Sequence, residues 1–473
     1  MFHNYFVRGL EVTLESINRK LKYCSNKLFA SFSDSGYSFT SILIIIFLIV
    51  SMLFGIIYFM FFENMMVIGR GNDKRLQLTT LNAVDKYLIY FQNDNSIIAG
   101  TEDSTLVKSR NVTHGLYSVV KTETNNKRDL LTAVFTFGIK PNKLFSSAII
   151  LTRPEVTPTV AGNTNITGNL LMAKRKINKG RLFGLHPLNV NYLNGEIVVD
   201  EDINPKIFNE TVLKKIFDFF THNENNEELD EAIEIINEFT MYKFESKSLQ
   251  IPNDISIEGF LKKGNDFESL ILFVNGITRF TNETKSTYNL LIYSDSTISI
   301  GENVHIENAI LVSQTSIDVG SNCILKNVQL FAKDSITISD SEFLFPSVIG
   351  LYVETEGENK YENKIDISSS VINGTVMLIS SIVGLDENKS KIKIDEESVI
   401  HGLVYCENNL ELYGEVKGCV YTYNFLYMDG KKEYLNWLVN VKVNRHELDD
   451  RFLLPMGFVE DPKYSLIKEE WYH

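Results

Sequence analysis

Residues 297–344 read TISIGENVHIENAILVSQTSIDVGSNCILKNVQLFAKDSITISDSEFL, and apolar side chains recur there every nineteenth position. Ile298, Ile317 and Ile336 form one series, and Ile300, Val319 and Ile338 a second. Ile306, Leu325 and Leu344 make a third, and Ile292, Leu311 and Leu330 a fourth. Asn308 and Asn327 repeat at the same phase, as corner residues would. Within one repeat the alternation has period two, as in Thr297-Ile298-Ser299-Ile300, so the repeat is built of strands. A single rung of this length cannot bury its own apolar face, but a stack of rungs can. The pattern predicts a parallel β-helix.

Outward from this stretch the repeat loosens. Lys364-Ile365-Asp366-Ile367 and Lys391-Ile392-Lys393-Ile394 restart it after the polar inserts 354–363 and 386–389. Asn373-Gly374-Thr375-Val376, His401-Gly402-Leu403-Val404 and Lys417-Gly418-Cys419-Val420 repeat one corner, where glycine accepts positive φ. Upstream, residues 160–168 (VAGNTNITG) look like one rung, with Gly180, Gly184 and Gly195 as later corners. The solenoid is therefore expected over 157–433. Residues 205–244 interrupt it with two apolar helical faces, read as a helical hairpin capping an open β edge. Residues 434–473, with Trp437, Phe452 and Pro455, are expected to fold over the last rung as a cap.

Before the solenoid, residues 39–62 (FTSILIIIFLIVSMLFGIIYFMFF) carry no charge. A helix of about 24 residues spans roughly 36 Å, enough to cross a hydrocarbon core of roughly 30 Å. This segment reads as an uncleaved transmembrane anchor. Residues 1–38 form a basic amphipathic stretch, with Leu10, Leu14, Ile17, Leu21, Cys24 and Leu28 on one face. Arg19, Lys20, Lys22 and Lys27 precede the anchor and Arg70, Lys74 and Arg75 follow it, which favours a cytoplasmic N-terminus. Residues 63–96 are expected as a stalk helix, with Leu81, Val84, Leu88 and Phe91 on one face. Residues 97–156 read as a small antiparallel β unit.

The net charge is −14, and residues 1–62 contribute five Lys/Arg against three acids, so the acidity lies beyond the anchor. An acidic portion argues against nucleic acid, whose phosphates need a basic face. The four cysteines, Cys24, Cys323, Cys406 and Cys419, are too scattered for a disulfide framework. Cys406 and Cys419 are the only pair worth weighing, and isolated core thiols are the favoured reading. Some parallel β-helices cleave polysaccharides, which requires acids on neighbouring rungs. The outward column here reads Ser299, Asp318, Thr337, Asp366, Lys393, beside Thr297, Ser316, Ser335. It shows no stacked pair of acids and no lysine or arginine set against them. Asp318 and Asp366 are the best acid candidates and read as solvated. His305 and His401 could approach each other on the stack, and read as ordinary surface residues. No spacing marks a metal or phosphate site. No residue is assigned a catalytic, cofactor-binding or metal role.

Two resemblances bear on function. Gly36-Tyr37-Ser38-Phe39-Thr40 before an apolar helix resembles the type IV prepilin start, with Ser41 where prepilins carry glutamate. Residues 81–88, 115–119, 162–168 and 179–184 resemble stretches of uncharacterised single-pass membrane proteins of Bacteroidota, with a solenoid similar to bactofilin domains. That resemblance implies an envelope location and no established activity. The expectation is a membrane-anchored structural or interaction protein in the inner membrane, its bulk exported. Its partners would be the lipid bilayer and envelope proteins or glycans, with no cofactor. The alternatives are a glycan-active β-helix enzyme and a component of a pilus-like or secretion-like assembly.

Overall fold

The structure, a computed structural model, describes residues 22, 39–90, 97–100, 106–125, 130–182, 184–185, 191–221, 247–257, 269–286, 289–354, 363–381, 389–458 and 464–472. The basic stripe of residues 1–38, apart from residue 22, and the second helical face near 229–239 lie outside these. The chain divides into two compact units between Leu78 and Thr79.

The anchor and the stalk form one continuous helix, Phe39–Tyr90. Gly69 and Gly71 fall within the expected stalk, but isolated glycines cost only about 1 kcal/mol each and no proline interrupts residues 39–90. Ile42–Val67 is long and apolar enough to cross a membrane. Its large apolar side chains, from Leu43 to Val67, are exposed all round the helix. In the second unit, Leu81 and Val84 pack on Val120, Ala133, Phe135 and Phe137. Thr80 Oγ1 lies 2.7 Å from Thr124 Oγ1.

The second unit is mainly β. Strands Ile97–Gly100, Leu106–His114, Tyr117–Asn125 and Leu130–Ile139 form an antiparallel sheet, and the C-terminal strand Tyr464–Tyr472 joins its edge. The rest winds as a parallel β-solenoid with three strand ladders per rung. In the rung starting at Asn289 these are Asn289–Ser294, Ile298–Ile300 and the first residues of His305–Ser313.

The sequence columns stack as spaced. Ile298, Ile317 and Ile336 pair in register, as do Ile300, Val319 and Ile338. All six are nearly inaccessible. Ile292, Leu311 and Leu330 do the same. One column slips: Leu325 pairs with Phe343 and not with Leu344. That side of the rung is one residue short, so Phe343 enters the core and Leu344 turns outward, half-buried. The register recovers at Gln329 and Val348 after an irregularity. Asn327 Nδ2 donates to Asn308 Oδ1 at 2.8 Å, and both residues hold positive φ, so these asparagines form a corner ladder. At Gly374, Gly402 and Gly418 the chief constraint is close approach. A Cβ there would overlap the carbonyl oxygen of Ser347, Gly374 or Gly402 in the preceding rung.

Spatial order departs from chain order. Val420 pairs with Ile149, Ile149 with Leu170, and Leu170 with Ile197. The rungs nearest the N-terminus therefore stack after the last C-terminal rung. The joining rung is assembled from both parts of the chain. Ile149–Leu151 supplies its first ladder, Trp437–Val439 its second and Lys442–Asn444 its third. The next rung, Thr159–Ala161, Asn165–Thr167 and Leu170–Met172, continues all three. The segment after 434 thus splices the stack in its interior rather than closing its end, and the solenoid begins at Ile149, earlier than 157.

The crossing segment after residue 199 also corrects the expected cap. Its described helix, Glu210–Thr221, lies against the outward face of the first ladder and not over an edge. Phe217 stacks on Tyr352 at 5.9 Å, and Leu213 and Ile216 bury beside it. Phe452, Leu454 and Phe458 cover the same face. With core on both sides, first-ladder strands read as continuous apolar runs, such as Val376-Met377-Leu378-Ile379.

Candidate functional site

The acids singled out in the outward column do not assemble a site. Asp318 and Asp366 stand two rungs apart with Thr337 between them, roughly 10 Å at the usual strand spacing. Asp318 is exposed. Lysines do adjoin the acids, contrary to the sequence reading: Asp366 lies 3.3 Å from Lys364 and 3.9 Å from Lys393. One rung further, Lys391 pairs with the buried Glu411 at 2.9 Å. Side chains on the same or on neighbouring rungs thus neutralise one another there. His305 pairs in register with Ile324, and the same ladder passes through Glu342 and Val371 before reaching Val399, beside His401. The two histidines are four rungs apart, roughly 19 Å. Cys406 faces the inner core and Cys419 the outer apolar layer, so they do not pair. Burial pushes both thiols up to about 12. Among the described residues, no three potential ligands come together around a metal position.

A cleft forms instead where the corner column Asn373, His401, Lys417 meets the segment 445–452. Its volume is about 540 Å³, and Phe345, Asn373 and His401 line it on one side, with Glu447, Leu448, Asp449, Arg451 and Phe452 from the 445–452 segment. This size suits a small-molecule site. The strand register sets the first wall, since Asn373 pairs with His401 and His401 with Lys417. The second wall is built by local capping. Asn444 accepts from His446 N at 3.1 Å, starting the short helix Arg445–Glu447, and donates to Glu447 Oε1 at 2.6 Å. Lys417 reaches Glu447 Oε2 at 3.1 Å and ties the two walls together. Phe345 and Phe452 meet at 5.9 Å. Gly402 leaves room for this floor, because a Cβ there would lie 2.8 Å from Phe452 Cε2.

The electrostatics limit the chemistry. The hydrogen bond from Lys417 holds the Glu447 carboxyl below the usual range. Arg451 holds Asp449 down at about 2, through both side-chain and backbone bonds. Burial, then the nearby Lys417 charge, lowers His401, so its imidazole is neutral at pH 7. Neither carboxyl is available as a proton donor, which glycosidic hydrolysis by an acid pair requires. The cleft thus offers ionised carboxylates and a neutral imidazole as hydrogen-bond partners, and no protonated carboxyl. Only His401 and the Asn373–His401–Lys417 corner were visible in the sequence. Glu447, Asp449 and Arg451 carry no local signal, because they arrive with Phe452 through the C-terminal splice, whereas Phe345 comes from the strand Glu342–Val353 of the stack itself.

A second polar cluster is structural. Glu407 is fully buried and accepts from Tyr405 Oη and Ser380 N, both at 2.8 Å. Burial raises its carboxyl to about 7. Tyr405 Oη also accepts from Ile207 N at 3.1 Å, and Tyr421 donates to Asn204 O. Lys206 pairs with Glu210 at 2.6 Å and donates to Ser380 O at 3.0 Å. These bonds fasten the crossing segment to the first ladder.

No family model matches the chain, and no curated protein matches it. Among solved structures, the competence-associated pilin ComZ from Thermus thermophilus aligns over 80% of this chain and 87% of that one, at 7% identity and a TM-score of 0.18. A likeness of that size carries no argument.

Proposed function

We propose that the chain is a single-pass, membrane-anchored envelope protein acting as a non-catalytic scaffold. Its N-terminus faces the cytoplasm, and its solenoid is displayed outside the inner membrane to envelope proteins or glycans. In layout it belongs with the single-pass Bacteroidota proteins that its sequence resembles. The observation that carries this reading is the helix Ile42–Val67, long and apolar enough to cross a membrane, with its large apolar side chains exposed among the described residues. Such a surface is stable in hydrocarbon and not in water. The solenoid supports the scaffold role: its rungs are consumed by packing, and on its second ladder Lys364, Asp366, Lys391, Lys393 and Glu411 pair among themselves. The test is protease treatment of intact spheroplasts carrying the full chain. Digestion of the region beyond residue 97 from outside is the expected result. Protection until the membrane is permeabilised overturns the proposed orientation. Recovery in the soluble fraction overturns the anchor.

A further inference from the structure

We infer that the cleft between the Asn373–His401–Lys417 corner and the 445–452 segment is a binding site for an uncharged oligosaccharide.

Three features of the cleft lead there. The first is the floor. Phe345 is half-buried and Phe452 is buried, and the two rings lie 5.9 Å apart in the wall of an open cleft. The negative face of an aromatic ring suits the slightly positive C–H face of a pyranose, and burying that face removes apolar surface from water. The second is the mixture of polar groups around the rings. Asn373 offers amide donor and acceptor, His401 one donor and one acceptor, Arg451 only donors and the two carboxylates only acceptors. Hydroxyls both donate and accept, so a polyol can satisfy all five side chains. A purely anionic or purely cationic ligand would leave part of this set unmatched.

The third is charge. Each acid at the cleft already has its cation, Glu447 with Lys417 at 3.1 Å and Asp449 with Arg451 at 2.9 Å. The imidazole of His401 is neutral at pH 7. The site therefore presents hydrogen-bonding capacity without net charge, which discriminates against phosphates, uronates and amines. About 540 Å³ accommodates more than one sugar ring, within the range of ordinary ligand pockets.

This inference names one partner class for the scaffold reading, but the site itself rests on the cleft alone. The test uses the full chain in lipid nanodiscs, free of sugar-headed detergent. Chitotriose, cellotriose and trigalacturonate are titrated by calorimetry. At least one neutral trisaccharide should bind with a Kd below about 1 mM, and more tightly than trigalacturonate. His401→Ala and Phe345→Ala should each weaken that binding about tenfold while the thermal midpoint stays within the range of surface substitutions. Should Phe345→Ala fail to fold, Asn373→Ala takes its place beside His401→Ala. Absence of heat from both neutral probes up to about 10 mM overturns the inference, as does tighter binding of trigalacturonate. Binding that ignores all these substitutions places the sugar elsewhere and overturns it as well. None of these outcomes depends on membrane orientation, so the spheroplast experiment and this one fail separately.

Discussion

The rungs between residues 297 and 344 stack on their neighbours in the chain, whereas the strands between 149 and 167 stack on residues 420–444 and carry the rungs up to 199 on top of them. Both sets extend the same three ladders, and both bury Ile, Leu and Val inward. The difference is only in how the chain reaches its place. Parallel ladders require crossovers in any case, so a long detour is tolerated if the arriving strand fits in register. Closing a longer loop adds little, about 0.6 kcal/mol per doubling of length. At the splice the fit is also fixed by side chains. Asn436 Nδ2 donates to Asn424 Oδ1 at 3.1 Å, and Asn424 Nδ2 donates to Asn409 Oδ1 at 3.2 Å. Arg445 Nε donates to Phe145 O at 2.8 Å, joining the two ends of the winding.

The strongest way to break the comparison lies in the regular region. Ile317→Asp puts a carboxylate into a fully buried column, and should cost more than about 4 kcal/mol. Urea unfolding of the full chain in nanodiscs would show the solenoid transition lost or moved to a far lower midpoint. Next is Leu170→Ala in the spliced rungs. Leu170 is 1% exposed, and the deletion should cost roughly 2–5 kcal/mol. Because those rungs share the core of the rest, the whole solenoid transition should shift. A separate early transition, with the main one unmoved, would show that residues 149–199 are an independent module.

The crossing segment gives a pH-dependent test. The Glu407 carboxyl sits at about 7 in the folded chain against an ordinary 4.5. The folded state therefore holds its proton more tightly than the unfolded state does. Stability from this group is full below pH 4.5 and is lost as pH rises through 7, by up to about 3 kcal/mol. Glu407→Gln cannot ionise, so its melting temperature should fall less than the wild type's between pH 5 and 8. Parallel profiles for the two proteins would remove Glu407 from the account. The smallest energetic effect belongs to Asn165→Cys with Lys442→Cys. Both positions are exposed and pair in register across the splice. Neighbouring parallel strands lie about 4.8 Å apart, within disulfide reach. Mild oxidation should crosslink residues 277 positions apart, seen as faster migration on a non-reducing gel, with stability otherwise changed by no more than about 0.5 kcal/mol. Failure to crosslink would contradict the splice directly.

Much of the stack was legible because its rule is local. A period of two makes a strand, and a period of nineteen superimposes Ile298, Ile317 and Ile336. Even there Leu344 misled, since counting cannot see a rung shortened by one residue before Phe343. The cleft was half legible. The corner Asn373, His401, Lys417 repeats in sequence, but the 445–452 wall is brought to it by the splice.

By itself, then, the amino-acid order determined an apolar helix, a β-rich remainder and the inward columns, because side-chain alternation and hydrocarbon length act over a few residues at a time. Tertiary structure alone decided which rung follows Val420, what covers the outward face of the first ladder, and which carboxylates meet His401's corner. Those contacts join distant positions through backbone ladders, and backbone groups are the same in every residue, so no pattern of side chains announces them.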